Sequence, residues 1–125
     1  MKTNPEQKCI ELAKKSTFRC RHGAVIVYNG HILSTGMNLN LFHSVTHSYN
    51  QLQTLHAEPM AILRVKNKRL LKNSSIYVCR INKHNELMLS KPCKTCMKII
   101  KSFGISEINY SIYGGWTTMN IDQEC

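Results

Sequence analysis

Two short segments carry the side chains whose types and spacing point to chemistry. His56 and Glu58 are separated by one alanine, and Cys93 and Cys96 are separated by two residues directly after Pro92. A zinc ion that performs chemistry takes three protein ligands and keeps a fourth position for water, whereas a structural zinc is closed by four. One histidine and two cysteines make three ligands, and Glu58 is then available to carry protons. The pattern therefore predicts a catalytic zinc site.

Both segments are predicted to open a helix. Apolar residues recur at helical spacing from His56 to Leu71, and again from Cys93 to Phe103, where Gly104 ends the pattern. The histidine, the glutamate and both cysteines are thus expected in first helical turns. Because helix N-termini carry partial positive charge, thiolates at the cysteines are expected to be favoured there. Ligands from two neighbouring helix starts can meet at one point.

The remaining pattern alternates between helix and strand signals. A first helix is predicted over 4–16, and an Asn29–Gly30 turn between two apolar runs, 23–28 and 31–38, predicts a β-hairpin. Residues 38–55 show no sustained period and predict a long loop, and the apolar run 75–81 predicts a strand covered on both faces.

The C-terminal part predicts two further strands, 105–113 and 116–121, joined at Gly114–Gly115. A parallel pair needs a crossover of a dozen or more residues, so these two strands must be antiparallel.

Composition limits the class of protein. With 125 residues, 42% of them hydrophobic and 19% charged, the chain is expected to form one domain, 1–125, without a membrane span. Its start lacks the apolar stretch of a signal peptide, and the cysteines outside the pair are scattered singly, so a reducing, cytoplasmic location is expected. Cys79 is expected to be buried as a small hydrophobe.

The charge balance is strongly basic. Seventeen basic residues against seven acidic ones give a net charge of +10, which favours nucleic acid or phosphorylated substrates as partners. The alternative is that an Asn-, Ile- and Lys-rich composition supplies lysines without a binding role.

The quoted motifs, in this order of elements, resemble the cytidine deaminase superfamily over nearly the whole chain. Residues 21–38 look like the first hairpin of its nucleotide-deaminase branches, and residues 90–110 look like their second metal segment. The resemblance implies an α/β/α sandwich with a five-stranded mixed sheet, the last two strands antiparallel, and helices on both faces. It also implies hydrolytic deamination of cytosine to uracil, with Zn²⁺ as the cofactor.

The same resemblance implies roles for individual residues. His56, Cys93 and Cys96 would bind zinc, and Glu58 would move protons between water, the ring nitrogen and the departing ammonia. Asn38 would contact the sugar or base, unless it merely turns the chain at the strand end. The pyrimidine edge would be read by backbone groups, the N–H of Ala57 and the carbonyl of Lys91. Because small deaminases of this superfamily commonly assemble, the resemblance also implies a homodimer or homotetramer.

One departure from the pattern of the deoxycytidylate deaminases leaves the identity of the substrate open. Deoxycytidylate deaminases usually continue with further helix after the fourth strand, whereas this chain closes with a tight hairpin, as small cytidine deaminases do. A free nucleoside or nucleotide (cytidine, deoxycytidine, CMP or dCMP) is the leading expectation. The alternatives are a cytosine or adenine deaminase acting on single-stranded DNA or RNA, and a non-catalytic binding module stabilised by zinc.

Several residues have competing interpretations. A structural zinc would need a fourth ligand, for which Cys79, His43 and His47 are the candidates. The segment 18–22 is expected at the mouth of the active site, where Arg19, Arg21 and His22 would bind a substrate phosphate or a nucleic-acid backbone, or form a solvated basic loop. Aromatic and histidine side chains of the long loop would stack on a base or pack the loop onto the body: Phe42, His43, His47 and Tyr49.

Overall fold

The computed structural model describes residues 4–16, 21–40 and 54–121, with backbone only at 39, 40, 54 and 55. Within these ranges the helices are α1 (Pro5–Lys15), α2 (Ala57–Arg64) and α3 (Lys94–Ser102), with a 3₁₀ turn at Lys68–Leu71. The strands are β1 (Arg21–Tyr28), β2 (His31–Met37), β3 (Leu39–Asn40), β4 (Thr54–Leu55), β5 (Ser75–Ile81), β6 (Leu87–Met88), β7 (Glu107–Ile112) and β8 (Gly115–Asn120).

Five of these strands form the main sheet, in the order β2-β1-β5-β7-β8. Strands β5 and β7 are parallel, as expected for two strands connected through a helix, and the other neighbouring pairs are antiparallel. The short β6 adds to the end of β5, and β3 pairs with β4 in a separate ribbon. The mixed sheet with an antiparallel final pair is therefore confirmed.

Helices cover both faces of the sheet, as expected. On one face α1 packs against β1 and β5, through a cluster made of Cys9, Leu12, Ala13, Val25, Cys79 and Ile81. On the other face α2 and α3 pack over a larger cluster, which includes Ala24, Ile26, Ala61, Ile62, Ile76, Val78, Ile100 and Ile108. Strand β5 contributes to both clusters, so the prediction that it is covered on both faces is confirmed, as is the burial of Cys79.

Two glycines let the helices approach the sheet closely. A Cβ atom on Gly23 would lie 2.2 Å from the carbonyl oxygen of Cys9 in α1, and one on Gly36 would lie 2.4 Å from that of Ala57 in α2. Real Cβ atoms do not come so near to a backbone oxygen. The start of α2 therefore rests on β2 at a distance that only glycine permits.

Three sequence predictions need correction. The second helix does not extend to Leu71, because it ends at Arg64 and the chain restarts as a 3₁₀ turn capped by Asn67. His56 and Cys93 are N-cap residues of α2 and α3 and do not lie in their first turns. The predicted loop 38–55 begins and ends with paired strand residues, and its residues 41–53 lie outside the described residues.

No helix in the described ranges is long and apolar enough to cross a membrane.

Candidate metal centre and adjoining cavity

The starts of α2 and α3 bring His56, Cys93 and Cys96 together. One donor atom from each side chain lies within 4.8 Å of the other two. The Nδ1 atom of His56 is 3.4 Å from the Sγ atom of Cys96, and the backbone N–H of Cys96 lies 3.5 Å from the Sγ atom of Cys93. His56 and Cys93 are exposed and Cys96 is buried, so the group lies at the surface with one side set into the core.

The geometry of these donors fits zinc. With Zn–N near 2.0 Å and Zn–S near 2.3 Å, a tetrahedral ion separates its ligand atoms by about 3.5–3.8 Å. The distance of 3.4 Å between Nδ1 of His56 and Sγ of Cys96 lies within 0.1 Å of that range. Cys79, a candidate fourth ligand, packs beneath α1 on the opposite face of the sheet. The other candidates, His43 and His47, lie outside the described residues.

Glu58 is buried beside the three donors. The residue is 5% exposed, and burial raises the pKa of its carboxyl, an effect that a backbone hydrogen bond, His56 and a hydrogen bond with Cys96 partly oppose. A carboxyl group with a raised pKa holds and releases a proton closer to neutral pH than an exposed one does. Glu58 therefore has the environment of a group that exchanges protons.

Cys96 corrects one expectation about the thiols. Burial, followed by the nearby Glu58 carboxylate and by Cys93, raises the pKa of the Cys96 thiol well above its ordinary value. Without a cation, burial therefore disfavours the thiolate that the helix start is expected to favour at Cys96. A bound metal ion supplies the positive charge that a buried thiolate requires.

A cavity of about 170 Å³ adjoins the metal-binding group. It is lined by His22, Asn38, His56, Ala57, Glu58, Ser90, Lys91, Pro92 and Cys93. An engineered cavity of about 150 Å³ binds benzene, so this volume accommodates one six-membered ring. The cavity lies near the carboxyl ends of the parallel strands β5 and β7, which is where open α/β sheets bind ligands.

Residues 4–112 match the family model of the cytidine and deoxycytidylate deaminase zinc-binding region. The chain belongs to this family. Because the family is a zinc-binding one and the chain has a fitting His/Cys/Cys group, zinc is its cofactor.

Solved structures of deaminases share the fold. Cytidine deaminase from Burkholderia pseudomallei is similar with a TM-score of 0.67 and 16% identity, over 93% of this chain and 89% of that one. The dCMP deaminase from the cyanophage S-TIM5, in complex with dCMP and dUMP, has a TM-score of 0.57 and 24% identity over 86% and 82%. No curated protein sequence matches the chain.

Asn38 of this family member is held firmly at the cavity. Its side chain is 5% exposed, and Oδ1 accepts hydrogen bonds from the backbone N–H of His22 at 2.8 Å and from the Ser16 hydroxyl at 2.7 Å. With Oδ1 used as an acceptor, the orientation of the amide is set, and the two N–H donors lie on its other side. The residue thus presents an amide of defined orientation at the cavity.

The basic segment 18–22 was expected before the first strand, but its last two residues, Arg21 and His22, begin β1, and its other residues lie outside the described ones. His22 lines the cavity, but the guanidinium of Arg21 donates to the carbonyl of Asn82 and, at 2.9 Å, to Oδ1 of Asn85 in the turn after β5. Arg21 is not among the residues that line the cavity. Arg19 and Phe18 lie outside the described residues, as do the aromatic and histidine side chains of 41–53.

Ser90 is a cavity residue that the sequence did not suggest. It stands two positions before Pro92 and belongs to no motif, and its place at the cavity follows from contacts with β5 and β7. Only its proximity to the Cys-x-x-Cys segment could have drawn attention to it.

Proposed function

We propose that the chain catalyses the zinc-dependent hydrolytic deamination of cytosine to uracil in a free nucleoside or nucleotide. One observation carries this proposal: three metal donors within 4.8 Å of one another meet the buried Glu58 at a cavity that accommodates one ring. A structural zinc site has no need of a buried carboxyl group or of a cavity beside it.

His56, Cys93 and Cys96 hold the zinc in this proposal, and Glu58 is the proton carrier. When bound, zinc activates water for attack on the ring carbon that bears the amino group. Glu58 takes one proton from the attacking water and gives it to the ring nitrogen. It then carries the second proton of that water, from the new hydroxyl group on the ring carbon, to the departing amino group. The C–O bond forms, the C–N bond breaks, and uracil and ammonia result.

Backbone groups and Asn38 orient the base and its sugar. Ala57 is the first residue of α2, and the first N–H groups of a helix have no partner within the helix, so this N–H suits a carbonyl of the base. The carbonyl of Lys91 suits the amino group, because that group is a donor. The amide N–H groups of Asn38 suit a sugar hydroxyl or a base oxygen. The side chain of Lys91 is exposed beside the cavity and offers a charge for a substrate phosphate.

The proposal also covers the domain organisation, the location and the oligomeric state of the protein. We expect a single domain over 1–125 that acts in the reducing cytoplasm, where the described cysteines stay free. We also expect a homodimer or homotetramer. Sedimentation at assay concentration measures the oligomeric state, and a monomer would contradict this part.

A substrate panel tests the proposal. Zinc-loaded protein is assayed for ammonia release from cytidine, deoxycytidine, CMP, dCMP, adenosine, guanine and a short single-stranded oligonucleotide. Turnover of a free cytosine nucleoside or nucleotide is expected, and no ammonia from any cytosine compound would refute the proposal.

Charge distribution favours a second candidate, deamination of a base within a polynucleotide. Residues 59–106 contain eleven lysines and arginines and one acid, Glu86. Eight exposed members lie on or next to α2 and α3: Arg64, Lys66, Lys68, Arg69, Lys72, Lys94, Lys98 and Lys101. We call these eight the basic face. Helix α1, on the other side of the sheet, carries both signs of charge.

Salt dependence separates the two candidates. Polynucleotide binding releases counterions, so affinity for a single-stranded oligonucleotide would fall steeply between low and moderate salt. The matched variant replaces Lys94, Lys98 and Lys101 by glutamine. The polynucleotide candidate requires this variant to bind the oligonucleotide more weakly, with a shallower salt slope. The leading proposal expects no specific oligonucleotide binding in either protein.

A further inference from the structure

Two buried serines join the cavity wall to the sheet. Ser90 lines the cavity and is 4% exposed, whereas Ser111 in β7 is fully buried and does not line it. Their hydroxyl oxygens lie 2.8 Å apart. The backbone N–H of Ser111 donates to Ser90 Oγ at 2.8 Å, and the N–H of Ser90 donates to the Ser111 carbonyl at 3.0 Å. The two residues are therefore linked through both backbone and side chains.

Each hydroxyl group also reaches a further strand. Ser90 Oγ donates to the carbonyl of Val78 in β5 at 2.9 Å. Ser111 Oγ accepts from the backbone N–H of Arg80 at 3.1 Å. Its single proton lies within hydrogen-bond distance of both Ser90 Oγ, at 2.8 Å, and the carbonyl of Met88, at 2.6 Å. The pair thus connects β5, β6 and β7. The last β5–β7 register pair joins Val78 to Tyr110, and the N–H of the next β7 residue, Ser111, donates to the Ser90 side chain.

The wall beyond Ser90 has few other attachments. We call residues 90–93 the wall segment. Within the described residues, neither Lys91 nor Pro92 makes a backbone hydrogen bond to another part of the chain, and the next anchored residue is Cys93, the N-cap of α3. The position of the Lys91 carbonyl therefore depends on the serine pair at one end and on the metal ligand at the other.

We propose that Ser111 is a positioning residue, which acts through Ser90 to hold the wall segment against the base of the substrate. This inference rests on the proposed function, in which the Lys91 carbonyl receives the amino group of cytosine. The wall would contact the base both before and during the reaction. Loosening it therefore raises KM and leaves kcat nearly unchanged.

The alternative is that the serines only satisfy buried backbone groups. Ser74 provides a matched control, because it is 1% exposed and its hydroxyl donates to the carbonyl of Leu71 at 2.7 Å, just before the start of β5. Ser74→Ala removes an equally buried hydroxyl group far along the sheet from the cavity. An effect that comes only from removing a buried hydroxyl group should appear in both Ser111→Ala and Ser74→Ala.

The experiment compares zinc-loaded Ser111→Ala, Ser90→Ala, their double variant, Ser74→Ala and Ser111→Thr. For the best free cytosine substrate, Ser111→Ala is expected to raise KM about tenfold. The double variant should be no worse than the stronger single variant, because the two residues act as one unit. Ser74→Ala should keep the wild-type KM, and the retained hydroxyl of Ser111→Thr should restore most of the loss. Equal KM in Ser111→Ala and Ser74→Ala would overturn the inference.

Hydrogen exchange gives a readout that does not depend on activity. In the zinc-loaded protein, Ser111→Ala should speed exchange of the Ser90 amide, whose N–H donates to the Ser111 carbonyl at 3.0 Å, about tenfold relative to Ser74→Ala. Unchanged exchange there would overturn the inference even where every variant is active. If the wild-type protein deaminates none of the compounds, the proposed function fails, and the exchange measurement alone decides whether Ser111 holds the wall.

Discussion

The backbone N–H of His22 donates a 2.8 Å hydrogen bond to Oδ1 of Asn38, so the start of β1 orients a side chain at the end of β2. The Ser16 hydroxyl donates to the same oxygen at 2.7 Å. The amide oxygen of Asn38 therefore has a structural role, whereas the role in substrate binding that we propose falls to the amide N–H groups. Substitutions can separate the two.

Asn38→Asp keeps the accepting oxygen and removes both amide donors. We expect KM for a cytosine nucleoside to rise at least about tenfold, while the unfolding temperature changes little. Asn38→Ala removes the acceptor as well, and should cost about 1–3 kcal/mol of stability, because buried donors lose their partner. Steady-state kinetics and thermal unfolding measure the two effects. An unchanged KM in Asn38→Asp would mean that the residue only turns the chain.

Gly36 and Gly23 form a second matched pair. Each contacts a helix too closely for a Cβ atom, so alanine at either position should destabilise the fold by about 1–3 kcal/mol through overpacking. Only Gly36→Ala pushes on α2, which begins beside His56 and carries Glu58. We therefore expect Gly36→Ala to lose zinc affinity and activity, and Gly23→Ala to keep both. Urea unfolding and competition with a zinc-binding dye test this, and equal zinc affinity in the two variants would contradict it.

Glu58→Gln preserves the size of a buried side chain and removes its ability to carry a proton. Activity should fall by about 100-fold or more, the range of a lost general acid–base group. Zinc content and far-UV circular dichroism should not change. Glu11→Gln on the exposed side of α1 is the control, and it should behave as the wild type does. A Glu58→Gln protein that keeps its activity would favour the non-catalytic binding module.

Metal removal should abolish activity, and added zinc should restore it. Elemental analysis is expected to give about one zinc per chain for the wild type and a clear loss for Cys96→Ala, because three ligands become two. Cys79→Ala is the control, since Cys79 is an equally buried cysteine in the core under α1. Loss of zinc from Cys79→Ala, or its retention in Cys96→Ala, would contradict the ligand set.

Local sequence signals predict the tight turns of the two hairpins, because the residue types in a turn set its backbone conformation. The Asn29–Gly30 turn forms with both residues at positive φ, 50° and 76°, and Gly114 at 72° closes the last hairpin. The second helix was predicted too long because Leu71 continues the apolar period. Leu71 is buried in the core, but it belongs to a 3₁₀ turn and not to α2. A hydrophobic period reports which residues are buried and does not report where a helix ends.

Contacts between distant segments could not be predicted. Arg21 contacts the turn at Asn82, 61 residues away, and no pattern in the basic segment 18–22 indicates that partner. Ser90 and Ser111, 21 residues apart, are linked only because β5, β6 and β7 converge. The metal-binding group was predictable because its residue types and spacing are themselves the chemistry, whereas the cavity around it is made by the packing of the sheet.

The metal-binding residues come from the starts of two helices, and this arrangement also affects how the chain unfolds. His56 and Cys96 are 40 residues apart in sequence, so zinc bound between them would cross-link the chain much as a disulfide does. On the chain-entropy model, closing a loop of this length is worth about 4 kcal/mol. Such a cross-link would be reversible, because the ion can leave. Zinc-loaded and zinc-free molecules would then differ in resistance to heat and proteases.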